Sequence, residues 1–310
     1  MSNFNYNPSK WVPFRDKDVI ERVRKIKRED ITKHSNPDFK IHVVKDSDIE
    51  FIWITDMFFR IKASDDENKK VVMITPQPAP CYQKVAYLIN KFKVNCRNLF
   101  TFNMDEYANE DGNIAPEDWP QGFMYAMNNN FYNRIEENLR PPKNQIVGFT
   151  DKNLRDYGKM IEDLGGADVC YSGPGWAGHL AFIEPGSEEF AGTLEEWKRM
   201  GPRIVTLNPF TIAQNSLHGS FGMSGDIGYV PPKAATIGPA QVIATKNRLD
   251  WNYLTVGGTN ISWQRFITRL VAHGPVTPLI PESILQTLEV DFYISESIAQ
   301  DIEPTWEIAY

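Results

Sequence analysis

Short apolar runs alternate with stretches of helical spacing along most of the chain. Asp16 to Lys27 carries Val19, Ile20, Val23 and Ile26 on one helical face, and Asn36-Pro37 then breaks the pattern. From Lys40 onward, apolar runs of strand length occur at Ile41 to Val44, Val71 to Ile74, Leu99 to Asn103, Ile146 to Phe149, Asp168 to Ser172, Arg203 to Leu207, Tyr253 to Val256 and Asp291 to Ile294. Helical periods fall between them at about Asp48 to Lys62, Tyr82 to Phe92, Gln121 to Asn138, Leu154 to Leu164 and Ile261 to His273. Strands joined through helices of this length require crossovers. The pattern therefore predicts a doubly wound α/β fold, a mostly parallel Rossmann-like sheet with helices on both faces. With no Gly/Ser/Pro-rich linker and no repeat, residues 39–310 read as a single domain and residues 1–38 as an N-terminal extension.

Composition narrows the function classes. The 310 residues are 42% hydrophobic and carry a net charge of −7, which disfavours nucleic acid and anionic membrane surfaces as partners. The one dense basic run, Arg22 to Arg28, fits a solvated helix face. No apolar stretch reaches membrane-spanning length, and the polar start lacks a signal core, so a cytoplasmic location is expected. Cys81, Cys96 and Cys170 are isolated and read as buried thiols. The five histidines form no HxxxH or HxH pair, and no metal or other cofactor is expected.

In an open parallel sheet, ligands bind beyond the carboxyl ends of the strands, and two such places carry chemistry. Asp105 and Glu106 follow the run ending at Asn103. Adjacent side chains diverge, so one faces a ligand and the other serves its support. After Ser172 comes Gly173-Pro174-Gly175-Trp176-Ala177-Gly178-His179, leading to Glu184. Glycines that admit a close ligand, a titratable ring and a carboxylate thus meet at a strand end.

Phe102-Asn103-Met104-Asp105-Glu106-Tyr107, Asn130-Phe131-Tyr132 and Gly178-His179-Leu180-Ala181-Phe182-Ile183-Glu184-Pro185 closely resemble the glucosamine-6-phosphate deaminase family. The resemblance runs over about Lys40 to Ile294 and takes in Val230 to Gly238 as a helix-opening segment. The related 6-phosphogluconolactonases keep the glycines and histidine but not the Asn-Met-Asp-Glu-Tyr run. The resemblance implies Asp105 as the base moving a proton from C2 to C1 of an opened amino sugar. It implies His179 as the carrier of the ring-oxygen proton, Glu184 as the orienter of that ring and Glu106 as a supporting group. It also implies a small sugar or sugar-phosphate substrate and a homo-oligomer.

Several departures from the family pattern predict a different substrate. The phosphate-cradling loop reads Thr75-Pro76-Gln77-Pro78-Ala79-Pro80, in which proline removes backbone donors. The phosphate-binding lysine element reads Gly257-Gly258-Thr259-Asn260, and two expected arginines are Ile212 and Leu217. Trp176-Ala177 stands where an Asn-Asp pair is expected, leaving Glu184 as the histidine's carboxylate support. Trp176 either stacks on a sugar face or fills the vacated space. The substrate-binding set is thus Thr75, Gln77, Gly175, Trp176, Gly178, Gly258, Thr259 and Asn260. Arg265 and Arg269 are another candidate anion clamp, against the plainer pairing of such cations with surface acids, and the glycine-spaced segment His218 to Gly228 reads as a nest or lid or, more plainly, a mobile surface loop. Three readings remain: an amino-sugar isomerase/deaminase, a lactonase-like hydrolase and a non-catalytic sugar-binding homologue.

Overall fold

The computed structural model describes residues 4–76, 81–259 and 261–306. Among the described residues, ten strands divide between two sheets. The strands are β1 (Phe39–Val44), β2 (Val71–Thr75), β3 (Leu99–Asn103), β4 (Asp105–Ala108), β5 (Ile146–Val147), β6 (Val169–Ser172), β7 (Arg203–Thr206), β8 (Lys233–Thr236), β9 (Asn247–Asn252) and β10 (Val290–Ser295). The main sheet has the order β1-β10-β9-β6-β2-β3-β5, and every pairing in it is parallel. The α/β architecture follows the sequence pattern. Strand alternation splits the core across the sheet: Val72 and Ile74 pack into one apolar cluster, Val71 and Met73 into the other.

The helices are α1 (Lys17–Arg24), α2 (Asp46–Asp66), α3 (Cys81–Phe92), α4 (Phe123–Asn130), α5 (Tyr157–Asp163), α6 (Leu194–Trp197), α7 (Pro209–Asn215), α8 (Pro239–Ala244), α9 (Gln264–His273) and α10 (Glu296–Ala299). α2 turns Ile49, Trp53, Met57, Phe58 and Ile61 inward at helical spacing. α7 starts sharply because Asn208 accepts the Phe210 N–H and Pro209 occupies the first turn. α1 packs on α9, and its Val23 is fully buried in the main core.

Three expectations need correction. The segment expected to open a helix does end at Gly238, the N-cap of α8, but its Lys233–Thr236 is itself a strand; with β4 and β7 it forms a second, antiparallel sheet in the order β4-β8-β7. The strand expected at Tyr253 to Val256 lies earlier, at Asn247–Asn252, because buried partners satisfy the polar residues that interrupt its hydrophobic pattern. The helix expected to reach Asn138 stops at Asn130, where Phe131 leaves helical geometry and two short 3-10 turns follow.

Candidate active site

The carboxyl ends of β2, β6 and β9 and the entry to β4 surround a cavity of about 720 Å³. Its wall includes Asp105, Gly175, His179, His218, Trp251 and Gln264. No Lys or Arg lines it among the described residues. None of those residues forms a group of three or more His, Cys, Asp or Glu able to hold a metal ion.

Asp105 and Glu106 point opposite ways. Asp105 faces the cavity although only 5% exposed, and burial, then the neighbouring Glu106, holds its carboxyl well above the usual range. Glu106 points away and accepts the backbone N–H groups of Tyr107, Phe123 and Met124 at 2.7–2.9 Å. It thereby caps α4, where the helix dipole favours an anion. Burial nevertheless pushes Glu106 up to about 7 against those donors. One carboxyl is left to the ligand and the other fixes the strand that presents it.

His179 follows a turn that only glycine permits. A Cβ on Gly175 would lie 1.8 Å from His179 Nε2, and one on Gly173 would lie 2.5 Å from the Trp251 carbonyl oxygen. Gly178 holds φ +82° and donates its N–H to the Gly175 carbonyl at 2.9 Å. On the other side of the ring, Nδ1 is 2.8 Å from the Thr211 hydroxyl oxygen and 3.6 Å from Glu184 Oε2. The ring's immediate hydrogen-bond partner is therefore a threonine on α7, with the expected Glu184 behind it. Both Glu184 oxygens are buried without a hydrogen-bond partner. α7 also holds the glycine turn through the Trp176 N–H, which donates to Gln214 Oε1 at 2.6 Å.

Several expected residues sit elsewhere. Thr75 is buried, with its hydroxyl directed to the Phe102 carbonyl, and does not line the cavity. Gly178 serves the turn, while Gly258 and Thr259 are exposed beside Gly257, which does line the cavity. Gln77 and Asn260 lie outside the described residues. Trp176 does not fill a buried space: it is 42% exposed and stacks on Trp263, with ring centroids 6.1 Å apart. Arg269 and Arg265 make no anion clamp. Arg269 is fully buried and donates to the carbonyls of Ile26, Ile298, Ala299 and Gln300, and Arg265 donates to that of Ser297. Neither lines the cavity.

Two features go beyond the sequence reading, which takes His218 only as the start of a glycine-spaced segment and does not single out Asp250, Asn252 or Glu282. His218 borders the cavity, and burial together with nearby His179 pushes its pKa down to about 4. Beneath the cavity, Asp250 accepts from Ser172 at 2.6 Å and from Asn252 at 2.7 Å, while Thr268 donates to Asn252 at 2.6 Å. Glu282 faces Asp250, and burial beside that carboxyl holds it well above the usual carboxylate range. The available signal was the alternation of Asp250 and Asn252 with Leu249 and Trp251, just before the strand expected from Tyr253.

No family model matches the chain. The glucosamine-6-phosphate deaminase of Phocaeicola vulgatus is 34% identical over 176 residues, covering 56% of this chain and 59% of that protein. That of Fusobacterium nucleatum is 31% identical over 188 residues, 59% of this chain and 62% of its own length. The match thus spans less than two thirds of these relatives. Among solved structures, a monomeric glucosamine-6-phosphate deaminase superposes with a TM-score of 0.65 at 21% identity, over 84% of this chain and 98% of that one. The 6-phosphogluconolactonase of Leishmania guyanensis superposes with a TM-score of 0.59 at 12% identity, over 85% of this chain and 98% of that one. Both share the fold. By these matches the chain is similar in sequence to glucosamine-6-phosphate deaminases over part of their length, and it shares its fold with a deaminase of that name and with 6-phosphogluconolactonases.

Proposed function

We propose that the chain is an isomerase/deaminase that converts an amino sugar to a ketose and ammonia, on a substrate whose binding does not depend on a phosphate. Asp105 is the base. A carboxyl held above its ordinary range accepts a proton from carbon more readily than an ordinary aspartate and still returns it. His179 carries the ring-oxygen proton during opening, with Thr211 and Glu184 behind it. Asp105 then moves the C2 proton to C1, and water hydrolyses the resulting 2-imine to ketose and ammonia.

The observation that carries the reading is that Asp105 and His179 face one cavity bordered by no Lys or Arg among the described residues. A phosphate there lacks the charge-assisted partners that contribute about 1.5–3 kcal/mol each. Residues 39–310 form the catalytic unit in this reading, and residues 1–38 are an added segment.

Ammonia release from a panel of phosphorylated and unphosphorylated amino sugars, with Asp105→Asn as control, tests it. Asp105-dependent ammonia from unphosphorylated compounds is expected. Ammonia only from glucosamine 6-phosphate would refute the substrate assignment. Sugar-acid formation without ammonia would favour the lactonase reading.

A further inference from the structure

Beside the catalytic cavity lies a second chamber of about 560 Å³. It is enclosed by segments distant in sequence: Phe14 and Ile20 from the N-terminal region, Trp176 and Ala177 from the glycine turn, Phe210 from α7 and Phe266 from α9. Its one charged wall residue, Arg24, lies over the Phe266 ring at 5.9 Å. The two cavities share Leu217, Val256 and Trp263 as a common partition. A ligand atom that passes these side chains leaves the carboxylate and imidazole and enters an aromatic enclosure.

We propose that this chamber receives the apolar substituent of an amphipathic ligand whose polyol or amino-polyol part sits against Asp105 and His179. The proposal rests on the reading of the catalytic cavity given above and adds the substrate class. Three relations on the molecule support it. The chamber is concave and roofed by the chain's own N-terminal residues, which suits a small-molecule group better than a flat protein surface. It adjoins the proton-transfer groups, so one ligand can occupy both cavities. With no cation lining the catalytic cavity among the described residues, apolar burial is the available source of affinity where an anionic anchor is missing.

Calorimetric binding of N-methyl-D-glucamine and N-octyl-D-glucamine to the full chain tests the proposal. These share an open-chain amino polyol and differ in their alkyl group. The octyl compound is expected to bind at least about a hundredfold more tightly, since the added methylenes leave water for the chamber. Ala177→Leu, which fills the chamber, and Phe14→Asp, which places a charge at its roof, are each expected to reduce that preference below about tenfold. In Phe14→Asp, which lies away from the turn that holds His179, N-methyl-D-glucamine affinity should hardly change. Phe14 is only half-buried on the N-terminal segment, so Phe14→Asp decides the matter if Ala177→Leu fails to fold.

An octyl preference of threefold or less, or one that survives both variants, overturns the proposal. A dimer that excludes octyl-glucamine and is dissociated by Phe14→Asp assigns the chamber to a second copy and also overturns it. A natural chain that releases no ammonia from any compound of the panel, or releases it equally well as Asp105→Asn, defeats the deaminase reading and leaves the octyl preference unchanged, so the two failures are distinguishable.

Discussion

The Thr211 hydroxyl oxygen lies 2.8 Å from His179 Nδ1, closer than the Glu184 carboxylate at 3.6 Å. A hydroxyl can accept from an Nδ1–H or donate to a bare Nδ1, so Thr211 can fix the ring's tautomer and orientation. Thr211 is itself fully buried on α7. Replacing it with valine keeps the shape and removes the hydroxyl. We expect Thr211→Val to fold normally, lower kcat about tenfold and shift one limb of the pH–rate profile. An unchanged profile would show that Glu184 alone orients the ring.

Glu106 holds three N–H donors where β4 meets α4, so its loss should register in stability more than in chemistry. In Glu106→Gln one acceptor becomes an NH₂ that faces backbone donors. The expected loss is about 1–3 kcal/mol by urea denaturation, with KM within about twofold of the natural chain.

Gly175 tests the close approach of the turn to the histidine. Its added methyl would overlap His179 Nε2 at 1.8 Å, and the ring must swing away from Thr211. Gly175→Ala should reduce kcat by about a hundredfold or more, with a melting temperature close to that of the natural chain. Full activity would mean that Nε2 takes no part in the reaction.

Glu282 supplies a pH dependence of known sign. Burial beside Asp250 raises its folded-state pKa well above the ordinary 4.5. The folded chain therefore holds a proton that the unfolded chain releases, and this contribution to stability is present below about 4.5 and is lost as pH rises. Glu282→Gln removes that proton requirement. The variant should gain stability relative to the natural chain as pH is raised from about 5 to about 8, measured by calorimetric melting. A difference that stays constant with pH would show that Glu282 is not held protonated.

Much of the architecture is legible in the chain. Val71–Thr75 is buried throughout, and such a continuous apolar run, set between helical periods, marks a strand covered on both faces. The glycines before His179 are legible for a related reason, because only a backbone without Cβ approaches the ring so closely. β4 and β8 were harder to see, since strands of four residues pair through the tertiary fold rather than through any local periodicity.

The chain alone is enough to read the layered parallel sheet and the placing of Asp105 and His179 after strand ends. These follow from periodicity and from the chemistry of individual residues. Which groups meet is a matter of the folded chain. It set Thr211 against His179, buried Asp250 and Asn252 within a strand by supplying Ser172 and Thr268, and turned Arg269 inward onto backbone carbonyls. Such partners lie far apart along the chain, and a hydrogen bond or an apolar wall forms only when the fold brings both sides together.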